Sequence, residues 1–174
     1  MGVEISELRN ALGRDVYRNS LFQLQISVPG LQFGNDPKFS CLVISASIPE
    51  ATVGVVTLPA LGRELYLAGD RKFPDFSCRV LNDDSWTVRK YFEQWSALIN
   101  GYNENIGASF SDYVAQIVVT PLARSTGKTP ITTYTLQDAW LNSVGKIELS
   151  KTADQHSEFD VSMKVNGVIY SAGT

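Results

Sequence analysis

The chain has 174 residues and a net charge of −3, from 15 Lys and Arg against 18 Asp and Glu. That length suits one domain that buries a core without staples, and 44% hydrophobic with 19% charged residues excludes a disordered chain. The slight acidic excess lacks the basic footprint of a tight nucleic-acid binder.

The chain opens with "VEISELRNALGRDVYRNS", in which Ile5, Leu8 and Leu12 have helical spacing, so residues 1–18 read as a short helix or adaptable arm. "SLFQLQISV" then alternates: Phe22, Leu24, Ile26 and Val28 face one way, and Gln23, Gln25 and Ser27 the other. This predicts a strand with one buried face. "PGLQFGNDPK" reads as a turn or hairpin loop and "FSCLVISASI" as a second strand. "PEATVGVVTLPALG", Pro49 to Gly62, is apolar and almost uncharged between two prolines. It reads as an extended loop that wants a partner surface, with folding back onto the sheet as the alternative.

"RELYLA" and "DFSCRVLN" read as strands, and "AGDRKFP" as the connection between them, with Gly69 free to take a positive φ. "NDDSWTVRKYFEQWSALING" is the clearest helix. Val88, Tyr91, Phe92, Trp95, Leu98 and Ile99 share one face, Asp83, Asp84 or Ser85 can cap its start, and Gly101 is placed to cap its end. "DYVAQIVVTPL", "ITTYTLQDAWL", "GKIELS" and "SEFDVSMKVNGVIY" supply further strands, with "ARSTGKTP" as a turn and Asn166–Gly167 as a tight-turn signal. The expected set is seven to nine strands, one strong helix and no internal repeat.

Tests for chemistry find no constellation. The single His156 lies in a polar turn, without a second His for a metal site and without a G-x-S-x-G elbow for a nucleophile. "STGKTP" lacks the first glycine of a phosphate loop, since Leu122 stands there, and an alternating Thr-rich run follows it instead of a helix. Asp70, Asp75, Asp83 and Asp84 lack calcium-loop spacing. Cys41 and Cys78 each sit in an apolar run and read as two buried, reduced thiols. No apolar run reaches the length of a membrane span, and "MGVEISELRN" lacks a signal-peptide core. The expectation is a non-enzyme with no cofactor, no metal and no membrane anchor.

Four stretches, in this order and spacing, resemble the tail tube proteins of contractile-tailed bacteriophages, a family that shares its fold with type VI secretion inner-tube proteins. They are "NSLFQLQIS" at 19–27, "AGDRKFPDFSCRVLNDD" at 68–84, "VRKYFEQWSALING" at 88–101, and "GKIELS" with "SEFDVSMKV" at 145–165. The resemblance covers most of the chain. It implies one tail-tube domain over residues 1–174, mainly β with one flanking α-helix, built from two packed antiparallel sheets in a sandwich or small barrel. It also implies a hexameric ring with a β-lined channel. Rings would stack inside the contractile sheath as the channel for genome delivery, in a virion tail assembled in the host bacterial cytoplasm.

The implied partners are further copies of the chain, the tail sheath protein, and baseplate and tail-terminator proteins, with double-stranded DNA passing without tight binding. A tube-initiating baseplate ring, or the inner tube of a phage-derived injection particle or type VI secretion system, is the alternative. Two departures fit such a specialised ring: the long "PGLQFGNDPK" segment and the continuation "NGVIYSAGT". Under this resemblance the candidate ring-stacking loop carries Pro49, Thr52, Val53, Val55 and Leu58. Gly69, Asp70 and Arg71 become a candidate structural joint, with charges suited to a salt bridge within or between subunits.

Overall fold

The architecture turns on one strand that serves two sheets. The computed structural model describes residues 5–12, 16–104, 106–124, 126–152 and 156–172. In it β7 (Thr132–Val144) is thirteen residues long. Its first half, Thr132–Gln137, pairs with β9 (Gly167–Ala172) on one side and with β6 (Ala115–Pro121) on the other, which in turn pairs with β1 (Phe22–Ser27). Its second half, Trp140–Val144, pairs with β8 (Glu158–Lys164), followed by β5 (Phe76–Leu81) and β2 (Val43–Ala46). The changeover falls at Asp138, which has φ 52°. The result is mainly β, with two antiparallel sheets sharing β7 and a separate two-stranded hairpin.

Alternation dictates the core. Leu24, Ile26, Ile117, Val119 and Leu136 from the first sheet, and Phe76, Val80, Phe159, Val161 and Met163 from the second, join one buried cluster. The helix α3 (Thr87–Ile99) adds Val88, Tyr91, Phe92 and Trp95, all at 3% exposure or less. Trp95 and Tyr91 also carry polar atoms inward, and both are satisfied. Trp95 Nε1 donates to the Tyr113 carbonyl at 2.8 Å, and the Tyr91 hydroxyl donates to the Ile26 carbonyl at 3.2 Å. The cap position of the helix is Trp86 (φ 55°), not one of the residues 83–85 expected there, although Asp83 Oδ1 does accept from the first-turn amide of Val88 at 3.1 Å. Its end differs from expectation: extended Asn100 (φ −150°) is the cap, and Gly101 is not in the left-handed region.

Four further readings are corrected. Residues 39–42 are helical, not a strand: α2 (Pro37–Leu42) is started by Asp36, whose side chain accepts from the Lys38 amide at 2.9 Å, with Pro37 in the first turn. Helical spacing also turns Cys41 outward, so of the two free thiols only Cys78 is buried. "GKIELS" forms no strand. Asn166–Gly167 does not close a hairpin, because β8 and β9 pair with different halves of β7 rather than with each other. The N-terminal spacing does give a helix, α1 (Ile5–Leu12), in which no residue is buried. Together with α4 (Phe110–Tyr113) and a short 3₁₀ helix at Phe33–Asn35, these complete the helical elements among the described residues.

Candidate assembly surfaces

Pro49–Gly62 is not a loop. Apart from Pro49, in the link after β2, its singled-out residues stand in β3 (Thr52–Ala60). β3 pairs along its length with β4 (Arg63–Lys72) and, among the described residues, with nothing else. Both strands continue the β2–β5 pair, so residues 43–81 form one long, interrupted hairpin whose distal half leaves the two sheets. The sequence signal was present but masked. Two apolar alternating runs flank the two-residue turn Leu61–Gly62, a hairpin pattern. However, adjacent Val55 and Val56 break the period of two, and Pro59 argues against a strand interior.

That broken period describes a strand with apolar side chains on both faces. Cross-strand register groups Val56 and Leu58 with Leu67 and Leu65 on one face, and Val55 and Thr57 with Ala68 and Tyr66 on the other. No described side chain of the hairpin is buried. Val55 is 67% exposed, Tyr66 64%, and Leu61 at the tip fully exposed. Leu61 also has φ 45°, beside Gly62 at 78°, as a two-residue turn of this hand requires. The hairpin thus offers two apolar faces, two unpaired edges and a strained apolar tip.

"AGDR" lies within β4, so it is no inter-strand connection, and Gly69 is not at positive φ. Gly69 and Asp70 oppose the single residue Gly54, a β-bulge in the hairpin. A Cβ on Gly69 would lie 3.2 Å from the Gly54 backbone, so the close approach of the strands is what favours glycine there. Asp70 and Arg71 are exposed, and neither forms an ion pair among the described residues.

The outer faces of the two sheets differ in chemistry. On the first, Gln23 and Gln25 of β1 and Thr133 and Thr135 of β7 share a face across β6, with Val118 and Thr120 between them and no charge. On the second, Ser77 and Ser162 are cross-strand neighbours, and Ser47 and Ser143 extend the row. Ion pairs flank these serines. Arg79 holds Asp160 through two hydrogen bonds, at 2.8 and 3.1 Å, with Glu158 at 3.8 Å. Lys164 reaches Asp75 at 2.6 Å. The hydrogen bonds and charge of Arg79 hold the Asp160 carboxyl below its ordinary value.

Exposed His156 lies 3.9 Å from Glu158. Among the described residues no group of three His, Cys, Asp or Glu is placed to hold a metal, and no helix is long and apolar enough to cross a membrane.

Comparison with known proteins accords with this architecture. The family model for phage tail tube protein matches residues 16–167. The chain is 27% identical to tail tube protein gp19 of Enterobacteria phage T4, over 87% of this chain and 90% of that protein. It is 28% identical to the tail tube protein of Serratia phage KSP90, over 92% and 93%. Its fold superposes on a chain of the sheath–tube complex of PVC, an extracellular contractile injection system, with a TM-score of 0.67 at 13% identity, over 98% and 99% of the two chains. The chain belongs to the phage tail tube protein family and is a structural subunit of a virion tail.

Proposed function

We propose that six copies of this chain form a ring, that rings stack into the tube inside a contractile sheath, and that the tube is the channel for genome delivery. One observation carries the reading: the β3–β4 hairpin exposes apolar side chains on both faces and unpaired amides on both edges. An isolated two-stranded hairpin is marginal in water, and each exposed aliphatic side chain gains about 1.5–3 kcal/mol on full burial. Two faces and two edges ask for more than one partner, and a ring within a stack supplies neighbours on several sides. Contacts that are weak singly then suffice, because each subunit is held at many points.

In this reading Pro49, Thr52, Val53, Val55 and Leu58 meet the next ring. The Gly69–Asp70–Arg71 bulge is the joint that aims the hairpin, and its two exposed charges pair with a neighbouring subunit. The sheath is the partner outside, in keeping with the sheath–tube complex the fold resembles. A stack has two ends, which baseplate and terminator proteins would close. Assembly would take place in the host cytoplasm, and DNA would pass without tight binding.

The test is electron microscopy with mass measurement of the purified chain, alone and with a baseplate nucleus. Hexameric rings or hollow tubes are expected. Monomers under both conditions would overturn the assembly reading.

A further inference from the structure

We propose that the Asp138 carboxylate, in a carboxamide-lined cleft at the end of the first sheet, receives the Arg71 guanidinium of the neighbouring copy in the ring. The inference rests on the ring reading above and names the partner of the hairpin's bulge. Its first ground is the inventory of charge. Among the described residues, the strands of the two sheets carry three carboxylates, Asp138, Glu158 and Asp160, and two cations, Arg79 and Lys164. Arg79 holds Asp160 and Glu158, and Lys164 holds Asp75. Asp138 alone of the three carboxylates forms no ion pair among the described residues. The hairpin is the reverse case: its cations Arg63, Arg71 and Lys72 are exposed, and none of them is ion-paired among the described residues.

The second ground is the place in which Asp138 stands. Ala115 pairs with Ala139 and Ile117 with Leu136, so Gln137 and Asp138 together oppose Gln116 in a β-bulge. A glycine would take the φ of 52° there without steric cost; the aspartate instead brings a carboxylate to a cleft of about 460 Å³. Gln32, Gln116 and Gln137 line the same cleft with Ser27 and Asn35, and no lysine or arginine does. Asn35 Nδ2 donates to Ser27 Oγ at 3.4 Å, which leaves Asn35 Oδ1 as an acceptor. A carboxylate flanked by amide oxygens and lacking a cation is the complement of a guanidinium, whose planar fork only donates. Lys72 offers a point charge without that fork, and Arg63 stands beside the tip, in the half that meets the next ring. Arg71 stands at the root, opposite Val53 and next to the Gly69–Asp70 bulge. The root of a hairpin that reaches toward the next ring lies beside a neighbour in its own. The hairpin continues the second sheet, whereas the cleft opens on the first, where Ser27 pairs with Gln116. The contact therefore joins unlike surfaces of two copies, and such a head-to-tail contact, repeated, closes into a ring.

The experiment breaks the pair and exchanges it. Asp138→Asn removes the charge and keeps a residue that tolerates the left-handed backbone. Arg71→Asp reverses the other side, and Arg71→Asp/Asp138→Arg exchanges the two. Both side chains are exposed and unpaired in the subunit, so the unassembled single variants should melt as native chain does. Each single variant is expected to need about tenfold more protein to form rings or tubes, and the exchanged variant to recover most of that loss. In a second arm, Arg71→Cys/Asp138→Cys in a Cys41→Ser background is assembled at high concentration and treated with a short bismaleimide. A covalent ladder that stops at six is expected. Single variants that assemble at the native concentration, or a ladder that is absent or runs past six, would overturn the assignment. So would an exchanged variant that melts normally yet assembles no better than Arg71→Asp; if it melts early, the ladder decides. Native chain that forms neither rings nor tubes is a different result, the failure of the ring reading itself.

Discussion

Leu61 stands at φ 45° with its side chain fully exposed, two disadvantages at one position. The left-handed conformation costs a non-glycine residue about 1–2 kcal/mol, and asparagine tolerates it far better. Leu61→Asn is therefore expected to stabilise the isolated subunit by about 1 kcal/mol while slowing tube growth, because the apolar tip is lost. Parallel thermal melts and polymerisation assays would show whether the two effects separate. The thiols divide in the same way between inside and outside. Burial pushes Cys78 up to about 12, with Asp160 adding to the shift, whereas Cys41 is exposed. A thiol reagent should modify Cys41 alone in the native subunit, and both on denaturation. Asp83 supplies a pH test. Partial desolvation pushes its carboxyl up, but hydrogen bonds from the Thr87 side chain and from the Val88, Asp83 and Thr87 amides outweigh it and leave it below its ordinary value. Its stabilisation is thus complete above the unfolded carboxylate range, near 3.9, and is lost as pH falls through the lower folded value. Asp83→Ala should cost about 1 kcal/mol at neutral pH, and the gap to native should close in acid.

Among the elements, α3 and the β3–β4 hairpin are opposites. The helix is held by packing: Trp95 is fully buried, bonded to Tyr113, in a cluster with Phe92, Tyr91, Phe39 and Phe159. Trp95→Ala should destabilise the subunit by about 3–5 kcal/mol in denaturant unfolding. An unchanged midpoint would mean that the side chain does not hold the core. The hairpin is held only by its own ladder, its turn and few inward contacts. In the unassembled subunit its amides should exchange with solvent much faster than those of β5, β6 or β8. If neighbours cover it in the tube, the same amides become protected; equal exchange rates before and after assembly would count against that.

For the whole molecule, folding and assembly draw on different residues. The core cluster comes from the two sheets with their flanking Val28 and Val165, from α3 and from Phe39 of α2, and among the described residues none of it comes from the hairpin. Val55→Asp should therefore leave circular dichroism and the melting curve close to native. A carboxylate desolvated at a contact repeated in every ring is unfavourable each time, so the same change should stop tube growth. Normal polymerisation of the variant would remove Val55 from the stacking contact, and an unfolded variant would place it in the core after all.

The sequence by itself determined the strands and helix that have one buried face. Period-two alternation at 22–28, 76–80 and 159–165 and helical spacing at 88–99 each state a single direction to the core, and burial follows them except at Phe22, Leu98 and Ile99, which are half-buried at the ends of their elements. The order of the "AGDR", "VLNDD" and aromatic-helix stretches also carried the family. Tertiary structure decided what alternation does not encode. Asp36 with Pro37 starts a helix within an apolar run that reads equally as a strand. β7 is long enough to serve two sheets, which leaves Asn166–Gly167 as a link instead of a hairpin turn. The segment 52–60 is apolar on both sides, a pattern shared by a loop and by a strand covered on both faces. Only its pairing with β4 separates the two, because backbone hydrogen bonds leave no period in a run whose side chains are apolar on both faces.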